Sequence, residues 1–138
     1  MKTVLSKNLL LIICLSVLLV ACADWTKGSK SSVENLTDRA SSRWQALLKK
    51  DWEAAYQFEL PAYRQTHNID QYKAKFGTTL LWKMFKVDTV TIHAETNTAD
   101  VALTLTYDFT MPGTGVTEGS SQINERWMQQ DNEWWMVD

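Results

Sequence analysis

Cysteine and histidine are scarce in this 138-residue chain, which has two of each. His67 and His93 stand far apart, and neither has the HExxH or paired-cysteine companions of a metal site. Lysine and arginine form no cluster, and the net charge of −2 is unfavourable for binding a phosphate backbone. The sequence therefore predicts no metal, no cofactor and no nucleic-acid partner.

The N-terminus has the order of a secretory signal. Lys2 and Lys7 precede an apolar run over residues 9–20, and small residues follow the run. The run is shorter than the ~20 residues that a helix needs to cross a bilayer, so we expect cleavage and no permanent transmembrane helix. Cys14 lies within the run and would leave with it, so one mature chain cannot form an internal disulfide.

The segment Leu19-Val20-Ala21-Cys22 resembles the lipobox of bacterial lipoproteins, in which the cysteine is acylated and becomes the new N-terminus. The resemblance implies a signal peptide over residues 1–21, lipid attachment such as palmitate at Cys22, and a tether over residues 22–32. Two or more acyl chains hold a protein stably at a membrane. Ala23 stands where such lipoproteins carry Asp for inner-membrane retention, which favours the outer membrane, facing the periplasm. The alternative is an ordinary secretory signal that is cut near Ala21.

The first half of the chain beyond the tether has the period of three helices. A capping-box spacing at residues 31–34 precedes the first and longest helix. Asp51 can cap a short second helix, which Pro61 ends because the residue before proline avoids helical angles. The capping-box spacing recurs at residues 68–71 and predicts the third helix.

The second half changes to the period of strands. Apolar and polar residues alternate over residues 101–109, as in a strand with one buried face. An earlier strand over residues 82–93 changes its apolar parity near Asp88, which predicts a β-bulge there.

Two further strands are expected at the C-terminal end. They cover residues 122–130 and 133–137 and are joined by Asp131-Asn132, a pair that tolerates the positive φ of a tight hairpin turn. Before them, the glycines, serines and Pro112 of residues 112–120 predict a long flexible connection. Helices followed by an antiparallel sheet indicate an α+β fold in one domain over residues 33–138.

Several short runs resemble the nuclear transport factor 2-like superfamily. These are RWQALL at residues 43–48, KDWEAAY at residues 50–56 and PAYR at residues 61–64, together with a closing hairpin containing ERW at residues 125–127 and DNEW at residues 131–134. The resemblance implies N-terminal helices packed on a curved antiparallel sheet that encloses a conical cavity, as in SnoaL-like and ketosteroid isomerase-like proteins. That superfamily includes both enzymes and non-catalytic binding proteins, so it does not decide function.

Candidate site residues follow from the expected cavity. A cavity enzyme needs a carboxylate or histidine with a shifted pKa. The carboxylates on predicted strands are Asp88, Asp108 and Glu125. The candidates are Asp88 and Asp108, with Asp88 favoured because bulges often re-aim side chains. The alternative is that both are solvated surface carboxylates. Of the seven tryptophans, most are expected in the core, among them Trp44, Trp52 and Trp127 at core-facing positions. The residues expected at the mouth of an apolar pocket are Tyr56, Tyr63, Trp82 and Tyr107.

Absent catalytic motifs and a strong anchor signal favour a non-catalytic envelope lipoprotein that binds a partner protein or a small apolar ligand. The alternative is a small isomerase- or dehydratase-like enzyme that uses a cavity carboxylate. A homodimer across the outer sheet face is also expected, with Trp134 or Trp135 near its centre, unless the connection over residues 111–121 covers that face.

Overall fold

The computed structural model describes residues 31–77, 81–111, 113 and 115–137. Cys22 and the predicted signal peptide lie outside the described residues. The described chain begins with four helices: α1 (Ser32–Leu48), α2 (Trp52–Tyr56), α3 (Pro61–Thr66) and α4 (Ile69–Ala74). No helix in this part of the chain is long and apolar enough to span a membrane.

The helix boundaries follow local hydrogen bonding. Ser31 and Glu34 form the predicted capping box, Asn68 and Gln71 form the second one, and the Asp51 side chain accepts a hydrogen bond from the amide of Ala54. These predictions are confirmed. The prediction of three helices is wrong.

The extra helix is α3, which begins at Pro61. Proline is well accepted at the first helical position because the amide hydrogen that it lacks would have no partner there. Pro61 therefore starts α3, but it does not end α2 as predicted, because α2 ends at Tyr56 and residues 57–60 lie between the two helices.

Four antiparallel strands follow, in the spatial order in which they occur along the chain. They are β1 (Leu81–His93), β2 (Thr98–Met111), β3 (Gly115–Gln130) and β4 (Glu133–Val137), with a short 3-10 helix at Ala94–Thr96 between β1 and β2. The α+β class is thus confirmed. The predicted cone is not, since the described strands form an open four-stranded sheet.

Two local predictions about the sheet are confirmed. The pairing of β1 with β2 shifts register between Val87 and Thr89, which places a bulge at Asp88. Asp131 and Asn132 have φ values of 53° and 65°, as a tight turn between β3 and β4 requires.

The predicted connection over residues 112–120 is mostly strand. β3 begins at Gly115, and its first residues pair in register with the end of β2. Gly119 is required by packing: a Cβ there would lie 2.8 Å from Cε2 of Tyr107 and 3.1 Å from Cε1 of Phe109. A glycine inside a strand can mark such a close approach of a neighbouring side chain. From the sequence alone, the same glycine indicates a loop.

The core lies between α1 and one face of the sheet. Trp44 and Trp127 are buried as predicted, and Trp52 is partly buried against the core. Trp134 is also buried, and Trp135 is partly buried at the β4 edge, where Arg39 and Arg64 lie 4.8 and 5.5 Å from its ring. Every buried core residue falls between Leu36 and Met136, so a chain that starts at Ala23 retains the whole described core.

Candidate functional site

An apolar groove opens where the end of α1 meets α2, the end of α4 and the start of β1. Its volume is about 180 Å³. Its apolar walls are formed by Leu47, Leu48, Trp52, Phe76, Leu81 and Trp82. Leu81 is 54% exposed at the rim, whereas Leu47 at the inner end is buried. The groove is therefore a concave apolar surface that solvent can reach.

The aromatic walls pack against each other in edge-on and tilted arrangements. The Phe76 ring lies 5.5 Å from Trp82 at an angle of 89°, and 5.5 Å from Trp52 at 31°. Trp82 in turn meets Trp44 of the core at 5.4 Å and 72°. Such pairs are favourable beyond the area that they bury, by roughly 0.5–1.5 kcal/mol each. The groove wall is thus continuous with the core and is held in place by it.

Lys50 is the one charged residue among the described residues that line the groove. It follows the end of α1 in the left-handed conformation, with φ at 56°. The amide of Lys50 donates to the carbonyl of Leu47 at 3.0 Å, and the amide of Asp51 donates to that of Ala46 at 2.9 Å. These two hydrogen bonds form the Schellman motif, whose left-handed position is usually occupied by glycine.

A second cluster, buried in the core, consists of Arg43, Glu59 and Glu125, which are 4%, 1% and 4% exposed. The Arg43 guanidinium donates to the Glu125 carboxylate at 2.6 Å and to the Glu59 carboxylate at 3.3 Å. The indole N–H groups of Trp44 and Trp127 also donate to Glu125, at 2.7 and 3.1 Å. The cluster joins α1, the segment after α2 and β3 across the core.

Burial raises the pKa of Glu125, opposed by Arg43 and by the hydrogen bonds from Trp44 and Trp127. A raised carboxylate pKa is often a mark of general acid or base chemistry. Here both carboxylate oxygens accept hydrogen bonds from neighbouring side chains, and Glu125 does not line the apolar groove. The cluster is therefore best explained as a structural one.

Asp88 and Asp108, the two candidate catalytic carboxylates, lie on the sheet and do not line the groove, although Asp108 is the cross-strand partner of Leu81 at the rim. Asp88 accepts a hydrogen bond from the Thr104 hydroxyl at 2.6 Å and pairs with Lys86 at 3.0 Å, and these contacts lower its pKa. Asp108 pairs with the Lys83 ammonium at 3.3 Å. A general base requires a pKa moved towards neutrality, so the lowered pKa of Asp88 is the opposite of what its candidate role needs.

Of the four predicted pocket residues, the structure brings only Trp82 to the groove. The Tyr56 hydroxyl donates to the carbonyls of Arg64 and His67, which ties α2 to the end of α3. Tyr63 stacks on the His67 ring, with the centroids 4.2 Å apart. Tyr107 is the cross-strand partner of Trp82 and its ring lies 6.0 Å from Phe109, but it does not line the groove.

A charged depression at the other end of the sheet contains His93, Asp100 and Arg126. Asp100 pairs with His93 at 2.9 Å and with Arg126 at 3.2 Å, and both hydrogen bonds lower its pKa. Exposed pairs of this kind contribute roughly 0–1 kcal/mol to stability. No group of three or more potential metal ligands occurs in the part of the chain that the structure describes.

The groove residues that sequence reasoning missed are Lys50, Phe76, Gly77, Leu81 and the two leucines at the end of α1. Trp52 was assigned to the core, with which it makes partial contact. The helical period placed the leucines, Trp52 and Phe76 on buried faces. Only the tertiary arrangement shows that part of their surface faces the groove. The sequence offered no signal for Lys50, because lysine is common near the C-terminus of a helix and its left-handed φ is visible only in the structure.

No protein-family model matches the sequence, and no curated protein matches it. Among solved structures, the fold is similar to that of a SEC-C motif containing protein from Rhodopseudomonas palustris. The TM-score is 0.55 at 13% identity, over 72% of this chain and 73% of that one. It is also similar to the intermembrane space region of the chloroplast protein ARC6, with a TM-score of 0.50 at 13% identity, over 80% of this chain and 95% of that one.

These comparisons correct the family that the sequence runs suggested. The structural matches are SEC-C motif proteins and the ARC6 region, and no nuclear transport factor 2-like or SnoaL-like protein is found among them. The superfamily resemblance is therefore wrong, because the matching runs are apolar and turn patterns that any helix pair or aromatic hairpin of this length can share. At identities this low, the likeness to the solved structures concerns the fold alone.

Proposed function

We propose that this chain is an envelope lipoprotein, anchored through Cys22, whose domain binds a small apolar ligand in the groove without catalysing a reaction. The groove itself carries the proposal: a concave surface of about 180 Å³ with two tryptophans and one phenylalanine in its walls. Ligand sites are typically concave, mostly apolar and furnished with a few polar groups.

The size of the groove limits the ligand. Pockets for drug-sized molecules have volumes of roughly 300–1,000 Å³, whereas an apolar cavity of about 150 Å³ holds benzene. A volume of about 180 Å³ therefore fits one ring or a short alkyl chain. A concave surface of this size favours a small ligand over a protein partner, which needs a broader contact area.

The positions of the carboxylates support binding over catalysis. The described residues that line the groove include no aspartate, glutamate or histidine. Asp88 and Asp108 form surface ion pairs, and Glu125 is bound to Arg43 and two indoles. An isomerase or dehydratase mechanism in this groove would lack a proton acceptor from these residues.

The anchor part of the proposal rests on the lipobox-like segment that ends at Cys22. α1 begins at Ser32, so a short polar tether would separate the lipid from the folded domain. Ten residues of flexible chain span roughly 17 Å. The domain would thus stand close to the membrane surface, on the periplasmic side of the outer membrane.

The ligand proposal is tested with the neutral one-ring probe fluorobenzene, whose binding is followed through its ¹⁹F nuclear magnetic resonance signal, and the chain from Ala23 to Asp138. Leu81→Asp places a charge in the groove at an exposed position, so the fold should survive while probe binding is lost. Met84→Asp is the matched control, because Met84 is 60% exposed on the same strand and does not line the groove. Equal probe binding by both variants and the wild type would refute a groove site.

The anchor proposal is tested separately in cells. Cys22→Ser should abolish incorporation of radiolabelled palmitate and leave an unprocessed precursor, since the thiol is the lipid acceptor. Wild-type protein without label, or a variant of unchanged size and membrane association, would overturn the anchor and leave the groove proposal intact. Membrane fractionation of the wild type then distinguishes outer from inner membrane.

A further inference from the structure

Lys50 adopts a backbone conformation that its side chain makes unfavourable. The other described non-glycine residues with positive φ are Asn97, Asp131 and Asn132, whose side chains tolerate the left-handed region. Lys50 has no such tolerance, yet its φ is 56°. Residues that the surrounding structure holds in a strained conformation cluster at ligand-binding and active sites.

The surroundings of Lys50 show an imbalance of charge. It belongs to the wall of an otherwise apolar groove, and no carboxylate of the described residues forms an ion pair with it. The lysines whose pairs the structure shows, Lys73, Lys83 and Lys86, each contact an aspartate or glutamate. Lys50 therefore supplies a cation beside an apolar surface with its charge available to a ligand.

We propose that the groove binds a small amphipathic anion, with its apolar body against Trp52, Phe76 and Trp82 and its carboxylate paired with Lys50. This inference rests on the proposed function and names the ligand class for the same groove. The volume sets the size of the apolar part at a short alkyl chain or one ring, and the single lysine sets the charge at one carboxylate. Octanoate and phenylpropionate are representatives of this class.

The ion pair would form at a solvent-accessible rim, so its effect on affinity is modest. Charge-assisted hydrogen bonds at such sites correspond to roughly a threefold to tenfold gain in affinity. The gain should decrease as salt is added, because salt screens exposed charges. The apolar contacts provide the remainder of the affinity and are shared by a neutral ligand of the same shape.

The test compares octanoate with octanol as competitors of the neutral probe at neutral pH, using the chain from Ala23 to Asp138. Lys50→Gln should weaken octanoate roughly threefold to tenfold and change octanol by less than about twofold. Lys49→Gln is the control, since Lys49 is the exposed neighbour and does not line the groove. It should change neither competitor by more than about twofold, because Lys49 does not line the groove.

Each outcome decides a different claim. If Lys50→Gln weakens octanoate and octanol equally, the lysine acts through the packing of its stem and the proposed ion pair is wrong. If Lys50→Gln has no effect on either competitor, the ligand class is wrong while the groove site stands. If neither competitor displaces the probe from the wild type, the proposed function itself fails.

Discussion

Arg43 lies between the two buried carboxylates of Glu59 and Glu125, and its loss would remove the guanidinium that pairs with each of them. Removing one partner of a buried ion pair typically costs about 3–5 kcal/mol, because the remaining charge stays desolvated. We expect Arg43→Met to lower the free energy of unfolding by about this amount at neutral pH, measured by urea denaturation. Arg126→Met is the control: its ion pair with Asp100 is exposed, and its loss should cost no more than about 1 kcal/mol.

The deficit of Arg43→Met should also depend on pH. Burial raises the pKa of Glu125 above its ordinary value of 4.5, and removal of Arg43 takes away a charge that opposes this rise. A carboxyl whose folded pKa is raised contributes stability that is complete below the unfolded pKa and is lost as pH rises through the folded pKa. The deficit should therefore be smaller at mildly acidic than at neutral pH. A deficit that is independent of pH would show that Glu125 does not titrate in this range.

At the scale of single elements, the end of α1 offers a direct test of backbone strain. The left-handed conformation costs a residue with a Cβ roughly 1–2 kcal/mol, and glycine avoids that cost. Glycine also loses more backbone entropy on folding than other residues, which offsets up to about 1 kcal/mol of the gain. Lys50→Gly should therefore stabilise the domain by up to about 1 kcal/mol while weakening octanoate binding. Lys49→Gly should destabilise it, since Lys49 has φ at −79° in the right-handed region. Thermal unfolding of both variants measures the difference.

Elements whose signals are local could be predicted from the sequence. The capping boxes at residues 31–34 and 68–71, the bulge at Asp88 and the turn at Asp131-Asn132 each depend on a few adjacent residues. The start of β3 could not be predicted, because Gly119 is set by contact with aromatic rings on the neighbouring strand. Short-range patterns describe caps and turns but not which surfaces meet.

The functional site could also not be predicted from short-range sequence patterns. Trp82 was expected in a pocket, but Trp52 and Phe76 share its groove only because α2, α4 and β1 meet there. The buried cluster of Arg43, Glu59 and Glu125 was likewise invisible, since its members are separated by up to 82 positions. Residues far apart in the sequence carry no common periodicity. Their association follows from the fold and cannot be read from spacing.

At the scale of the whole molecule, the structure changes where a homodimer would form. Of the two residues predicted near its centre, Trp134 is buried in the core, and Trp135 is partly buried beside Arg39 and Arg64. The connection expected to cover the outer face is also absent, since residues 115–121 are part of β3. Association of two copies remains a prediction, and the open edge of β3 is the surface that fits it.

The two long edges of the described sheet are β1 and the part of β3 that β4 does not cover, and they differ in the features that prevent pairing with a strand of another molecule. β1 has two register shifts together with Lys83 and Lys86, features that protect an edge. β4 pairs with only the last five residues of β3, and the remaining edge of β3 keeps an unbroken register with β2. Glu118 is the one charged side chain between positions 115 and 124. An edge of this kind readily accepts another strand.

We therefore expect the chain from Ala23 to Asp138 to sediment as a dimer at tens of micromolar. Ser120→Glu together with Gln122→Glu should yield a monomer, because three acidic residues on each edge would repel one another. Thr89→Glu with Thr91→Glu on β1 is the control and should leave the dimer intact. A wild-type monomer at these concentrations would contradict pairing through β3.

The proposed role of the groove is to bind a small amphipathic anion. Its most direct test is a titration of ¹⁵N-labelled protein with octanoate, followed through the indole N–H resonances of the tryptophans by nuclear magnetic resonance. We predict saturable shifts at Trp52 and Trp82, which line the groove, and little change at Trp134 and Trp135, which lie at β4. Shifts that are largest at β4, or that stay negligible at Trp52 and Trp82 up to millimolar ligand, would contradict the account.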